Sequence, residues 1–154
     1  MKDHVIISFF IPHLGCNSQC VFCNQKTITG YQSSPDYQMV SRVIADRLRS
    51  LPPGVQCEVA FYGGSFTALP WSRQQTYLQA VQPFIQRGDV KSIRVSTRPD
   101  AIDEPEMDSL IGYGVRTIEL GVQSLDCEVL KASGRKYDAS LVQDVSLLIK
   151  EKGF

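Results

Sequence analysis

The chain has 154 residues, 43% of them hydrophobic, and carries 16 basic and 16 acidic side chains. That length suits one domain, and the apolar content is enough to build a core. The even charge balance gives no large field of one sign, which argues against nucleic-acid wrapping or an anionic membrane surface and leaves a small substrate open. The run VIISFFIP near the start is far too short to span a bilayer. Nor does the N-terminus show a basic region, an apolar stretch and a cleavage site in order. The chain therefore reads as cytoplasmic, with no membrane partner. Five cysteines, an odd count, in a reducing compartment do not read as a disulfide framework.

In chain order, HVIISFFI (4–11) is β-branched and aromatic and predicts a buried strand. Tyr37, Val40, Ile44, Leu48 and Leu51 recur at helical spacing, and Pro52-Pro53-Gly54 stops that helix. CEVAFY (57–62) predicts a second strand, followed by Gly63-Gly64. Tyr77, Leu78, Val81, Phe84 and Ile85 form a second helical face, which Pro83 is expected to kink or end. KSIRVST (91–97) is strand three. Asp103 and Glu106 have capping-box spacing before a short third helix that GYG ends. TIELGV (117–122) is strand four, and Leu141, Val142, Val145, Leu148 and Ile149 mark a last helix, with Gly153 at its C-cap.

Such alternation predicts an α/β fold of parallel strands joined by right-handed helical crossovers, either an open doubly wound sheet or a partial barrel. In both arrangements chemistry gathers at the carboxyl ends of the strands. There the sequence supplies the cysteine loop, YGGSF (62–66), STRPD (96–100) and GVQS (121–124), which are expected to meet on one rim.

Cys16, Cys20 and Cys23 are spaced Cys-x3-Cys-x2-Cys within one loop. Structural zinc prefers four ligands from two pairs, and His13 would crowd the same loop. A ferredoxin cluster needs a fourth thiolate. Cys57 and Cys127 are candidates by count: Cys57 starts its strand, roughly 17 Å from the rim, whereas Cys127 follows strand four and stays open on geometry, and read alone both are expected to be buried, inert thiols. Three thiolates without an evident fourth suggest a four-iron cluster with one iron open. Gly63-Gly64 alone is a tight turn or a close backbone approach to a ligand. Alone, Gln123 and Arg135 read as a turn residue and a solvated charge.

Taken together, these stretches resemble the radical S-adenosylmethionine superfamily. Its hallmark, Cys-x3-Cys-x-aromatic-Cys after the first strand, is matched by Cys16, Cys20, Phe22 and Cys23. FYGGSFTALP is similar to the glycine-glycine motif after strand two. STRPDAID and IELGVQSLDCEVL resemble the branch that holds the elongator catalytic subunit and the oxygen-independent coproporphyrinogen oxidases. The resemblance implies a (βα)4 portion of a (βα)6 partial TIM-type barrel, with residues 1–154 as one core domain that stops after the fourth unit. It implies a [4Fe-4S] cluster on Cys16, Cys20 and Cys23, and S-adenosylmethionine contacts from Phe22, Gly63, Gly64, Ser65, Ser96, Gln123 and Arg135. Related enzymes often carry a glutamate where this chain has Ser96. The implied activity is reductive cleavage of S-adenosylmethionine to methionine and a 5′-deoxyadenosyl radical that takes hydrogen from a substrate. An external one-electron reductant, such as flavodoxin or ferredoxin, would supply the electron. The implied substrate is a transfer-RNA base or a small molecule. A non-enzymatic iron–sulfur or zinc module and an inactive fragment stand as the alternatives.

Overall fold

A computed structural model describes residues 4–11, 16, 20–23 and 34–154. Four parallel strands, β1 (His4–Ile11), β2 (Gln56–Gly63), β3 (Ser92–Thr97) and β4 (Val115–Leu120), lie side by side in chain order. A doubly wound sheet reverses its strand order partway. This one does not, so the winding is that of a barrel segment.

The helices are α1 (Tyr37–Arg49), α2 (Trp71–Gln86), α3 (Glu104–Gly112), α4 (Cys127–Ala132) and α5 (Ala139–Glu151). One sheet face is apolar because every second residue there is Ile, Phe or Val: Ile7, Phe9 and Ile11 on β1, Val59 and Phe61 on β2, Ile93 and Val95 on β3. Val40 and Ile44 of α1, Leu78, Val81 and Phe84 of α2, and Leu110 of α3 bury against that face. Met107 of α3, with Val145 and Ile149 of α5, continues the layer over Ile118 and Leu120. The opposite face carries the alternate residues, including Glu58, Tyr62, Arg94, Ser96 and Glu119, as the two-residue period of a strand requires. Parallel sheets usually read as continuous apolar runs because both faces are covered. This sheet has one apolar face and one polar face.

Three local expectations are corrected. Pro83 neither ends nor divides α2, which runs on to Gln86. The ring removes the donor that would reach the Gln79 carbonyl and crowds that carbonyl, but the position is exposed and close to the helix end, where both costs are smallest. The capping box at Asp103 does not form, because Glu106 is taken by the Gln74 side-chain amide. Strand four begins at Val115 rather than Thr117 because Gly114, at φ +85°, turns the chain straight into its pairing with Ile93. It ends at Leu120, where the Val122 N–H closes a tight turn on the Leu120 carbonyl.

Helix α4 lies in a stretch with no expected element. Asp126 caps it, accepting from the N–H groups of Glu128 and Val129. Cys57 is buried as expected, but Cys127 is exposed, because it sits in the first turn of α4. No helix among the described residues is long and apolar enough to cross a membrane.

Candidate functional site

The loops after all four strands emerge from one end of the sheet, as parallel order dictates. Cys20 is buried, and Cys16 and Cys23 are half-buried, all with free thiols. The Cys23 N–H closes a turn on the Cys20 carbonyl at 2.9 Å, and the Val21 N–H reaches across to the Ser133 carbonyl at 3.2 Å. This second bond seats the cysteine loop on the C-terminal end of α4. Burial pushes the Cys16 thiol up, Arg98 and Arg135 pull it down, and the neighbouring Cys23 and Cys20 push with burial; the net direction is up. The three thiols therefore share one neighbourhood with two guanidinium groups. Among the described residues, no three His, Cys, Asp or Glu side chains already stand as a metal-ligating group. His13 lies outside the described residues. Phe22 is 52% exposed beside the cysteines.

The glycine motif is built for close packing. Gly63 has φ +108°, and a Cβ there would lie 2.8 Å from the Ile11 carbonyl oxygen and 2.9 Å from the Phe10 ring. The Gly64 N–H donates to that same Ile11 oxygen at 2.7 Å. Phe66 anchors the loop from below, stacked on Phe61 with centroids 5.4 Å apart. Ser65 points inward and is fully buried. Its hydroxyl is 2.7 Å from the Thr97 hydroxyl and accepts from the Arg98 N–H at 3.2 Å. Its side chain thus ties strand two's loop to the end of strand three. Ser96 is half-buried and borders a narrow crevice with Ile11, Tyr62 and Gly64.

Among the described residues, Gln123 is the non-glycine residue at positive φ, +72°. A non-glycine residue in that region costs on the order of 1–3 kcal/mol and persists where its surroundings impose it. The imposing contacts are visible: the Gly121 N–H donates to the Thr97 carbonyl at 2.8 Å, and the Tyr137 hydroxyl donates to the Val122 carbonyl at 3.0 Å. Arg135 lies 5.8 Å from the Tyr137 ring centroid. Its Nε and Nη1 are buried without a hydrogen-bond partner. Buried donors are nearly always paired, so a guanidinium in this state suits an anionic group, above all a carboxylate.

The structure therefore brings Cys16, Cys20, Cys23 and Arg135 together, with Gly63, Gly64, Ser96 and Gln123 on the same rim. Sequence reading singles out neither Tyr137 nor Thr97, and takes Arg98 alone for a surface loop residue or a substitute for Ser96. Arg98 is 6% exposed and forks onto Asp100 through Nε at 2.9 Å and Nη2 at 3.2 Å. The i, i+2 spacing of Arg98 and Asp100 around a proline was the available signal. Nothing local marks Tyr137, whose partners lie 15 and 16 residues away.

A family model described as the Radical SAM superfamily matches residues 10–154. The chain is 28% identical over 152 residues to the oxygen-independent coproporphyrinogen III oxidase of Paracoccus denitrificans, covering 96% of this chain and 34% of that one. It is 26% identical over 183 residues to Elongator complex protein 3 of Schizosaccharomyces pombe, covering 93% and 33%. The chain thus spans about a third of the length of these curated relatives. Among solved structures, coproporphyrinogen III oxidase from Escherichia coli shares the fold with a TM-score of 0.65 and 19% identity, over 98% of this chain and 35% of that one. A family match running from β1 to the last residue, over strands wound in the order of a barrel, places this chain in the radical SAM superfamily.

Proposed function

We propose that the chain is the catalytic core of a radical S-adenosylmethionine enzyme. Cys16, Cys20 and Cys23 would hold a [4Fe-4S] cluster, and the rim would hold S-adenosylmethionine. The residues present fit both groups. One loop presents three reduced thiols, a set one ligand short of closing around a cubane. The observation that carries the reading is half-buried Arg135, two of whose guanidinium nitrogens are buried and unpartnered and which lies close enough to act on Cys16. A purely structural zinc or electron-transfer loop has no use for a desolvated cation poised for a carboxylate. Bound together, the two cofactors supply one-electron reductive cleavage of a sulfonium, the hard chemistry that proteins delegate.

This chain's own residues bind, orient and shield. Arg135 pairs with the methionyl carboxylate. Gly63, Gly64 and the Ser65 backbone present main-chain groups to the methionyl ammonium. Ser96 and Gln123 contact the ribose or methionine portion, and Phe22 covers the adenine. Tyr137 holds the Gln123 loop in its strained form. A one-electron reductant such as flavodoxin or ferredoxin serves as the electron source, and a transfer-RNA base or a small molecule as the substrate.

The test is anaerobic reconstitution followed by metal analysis and treatment with dithionite and S-adenosylmethionine. The expected content is about four irons per chain, as one cubane requires. 5′-Deoxyadenosine should form with the native chain and vanish with Cys20→Ala. Tightly held zinc with negligible iron would overturn the cluster assignment.

A further inference from the structure

The polar face of the sheet holds a side-chain network outside the family motifs. Arg94 donates to Glu58 Oε2 through both Nε, at 3.0 Å, and Nη2, at 2.7 Å. The Ser92 hydroxyl donates to Glu58 Oε1 at 2.7 Å, and His4 Nε2 lies 3.2 Å from Glu58 Oε2. Glu58 is thus fully engaged, and Arg94 already has its counter-charge. Yet Arg94 Nη1 also donates to Glu119 Oε1 at 2.9 Å, and the Tyr62 hydroxyl donates to the same oxygen at 3.0 Å. Two carboxylates thus share one fixed cation, and the surplus negative charge falls on the more open of them. The Glu119 side chain is 42% exposed against 12% for Glu58. Among the described residues none donates to Glu119 Oε2.

Placement matters as much as charge. Glu119 is the register partner of Ser96, and Phe10 is the partner of Tyr62. These four residues form the row of the polar face just below the rim, beside Gly63 and two residues before Gly121. An ion pair that served only to neutralise Arg94 would not need a second carboxylate held by two donors on one oxygen, with no donor on the other among the described residues. Such an arrangement fixes an acceptor for a ligand on the rim.

We propose that Glu119 is a ligand-binding carboxylate that accepts hydrogen bonds from the donor groups of S-adenosylmethionine, its ribose diol or its ammonium, with Tyr62 and Arg94 as positioning residues. Glu119 thereby supplies from strand four a stronger acceptor than the hydroxyl of Ser96, its neighbour in the register, supplies from strand three. This assignment rests on the proposed function above, and the experiment separates the two.

The reconstituted chain and its Glu119→Gln variant are compared by equilibrium dialysis against S-adenosylmethionine, methionine and adenosine, with iron content and circular dichroism measured on both. Iron and fold are expected to match, because the cysteines lie on another strand's loop and Arg94 keeps Glu58. Affinity for S-adenosylmethionine is expected to fall about tenfold or more, the loss typical of a charge-assisted hydrogen bond. A parallel loss for adenosine assigns the diol, and one for methionine assigns the ammonium. A variant that binds S-adenosylmethionine as tightly as the native chain overturns the assignment while leaving the proposed function standing. A native, iron-loaded chain that binds none overturns both. Tyr62→Phe decides the matter if Glu119→Gln fails to fold: a smaller loss in the same arm is expected, and unchanged affinity in a folded variant rejects the assignment.

Discussion

At Gly63 the sequence leaves two meanings open, a tight turn or a close approach to a ligand, and the structure shows a third. The space where a Cβ would go is filled by the Ile11 carbonyl and the Phe10 ring. The glycine lets strand two's loop lie directly on the end of strand one, which sets the rim before any ligand arrives. Gly63→Ala is expected to destabilise the fold by about 1–3 kcal/mol, from positive φ and close contact together. Chemical denaturation would show this as a lower midpoint with an unchanged slope. The residue scale is also where the sequence was least complete. The three cysteines were legible from spacing. Ser65 was legible as part of a motif, but its hydroxyl faces Thr97, a partner 32 residues away. Arg135 read alone as a solvated charge, and only the fold reveals that two of its nitrogens are dry.

At the scale of elements, the alternation of strands and helices was readable because each long element has an apolar period. Helix α4 was not, since six residues are too few to display one. What the sequence did offer was Asp126 two and three residues ahead of the N–H groups it caps. The short helix matters because its C-cap residue Ser133 presents the carbonyl that receives Val21 of the cysteine loop. Asp126→Ala is therefore expected to cost about 1 kcal/mol of stability. It should also lower the yield of iron on reconstitution while leaving far-UV circular dichroism nearly unchanged. Pro83, which does not end its helix, teaches the complementary point. The rule that proline breaks helices weighs one lost hydrogen bond, whereas Leu78, Val81 and Phe84 on the same helix each bury a side chain in the core.

At the scale of the molecule, the network of His4, Glu58, Arg94 and Glu119 reaches across all four strands. Burial alone would raise the Glu58 carboxyl, but hydrogen bonds from Ser92 and Arg94 outweigh it and hold the group below the ordinary carboxylate range. A carboxyl lowered on folding adds stability above its unfolded value and surrenders it as pH falls through its folded value. Glu58→Gln should therefore melt below the native chain at neutral pH, and the gap should narrow on acidification. A gap independent of pH would place the network's contribution in packing rather than charge. The winding order itself was open in the sequence between two topologies, because periodicity records which face is apolar but not which strand lies beside which.

The bond from Val21 to Ser133 joins the first loop of the chain to its last quarter. On the ribosome, the thiols emerge early, but the carbonyl that seats their loop emerges only after all four strands have been made. The loop's seat thus takes shape late, and on the proposed function a cluster would be loaded only after β4 and α4 have been made.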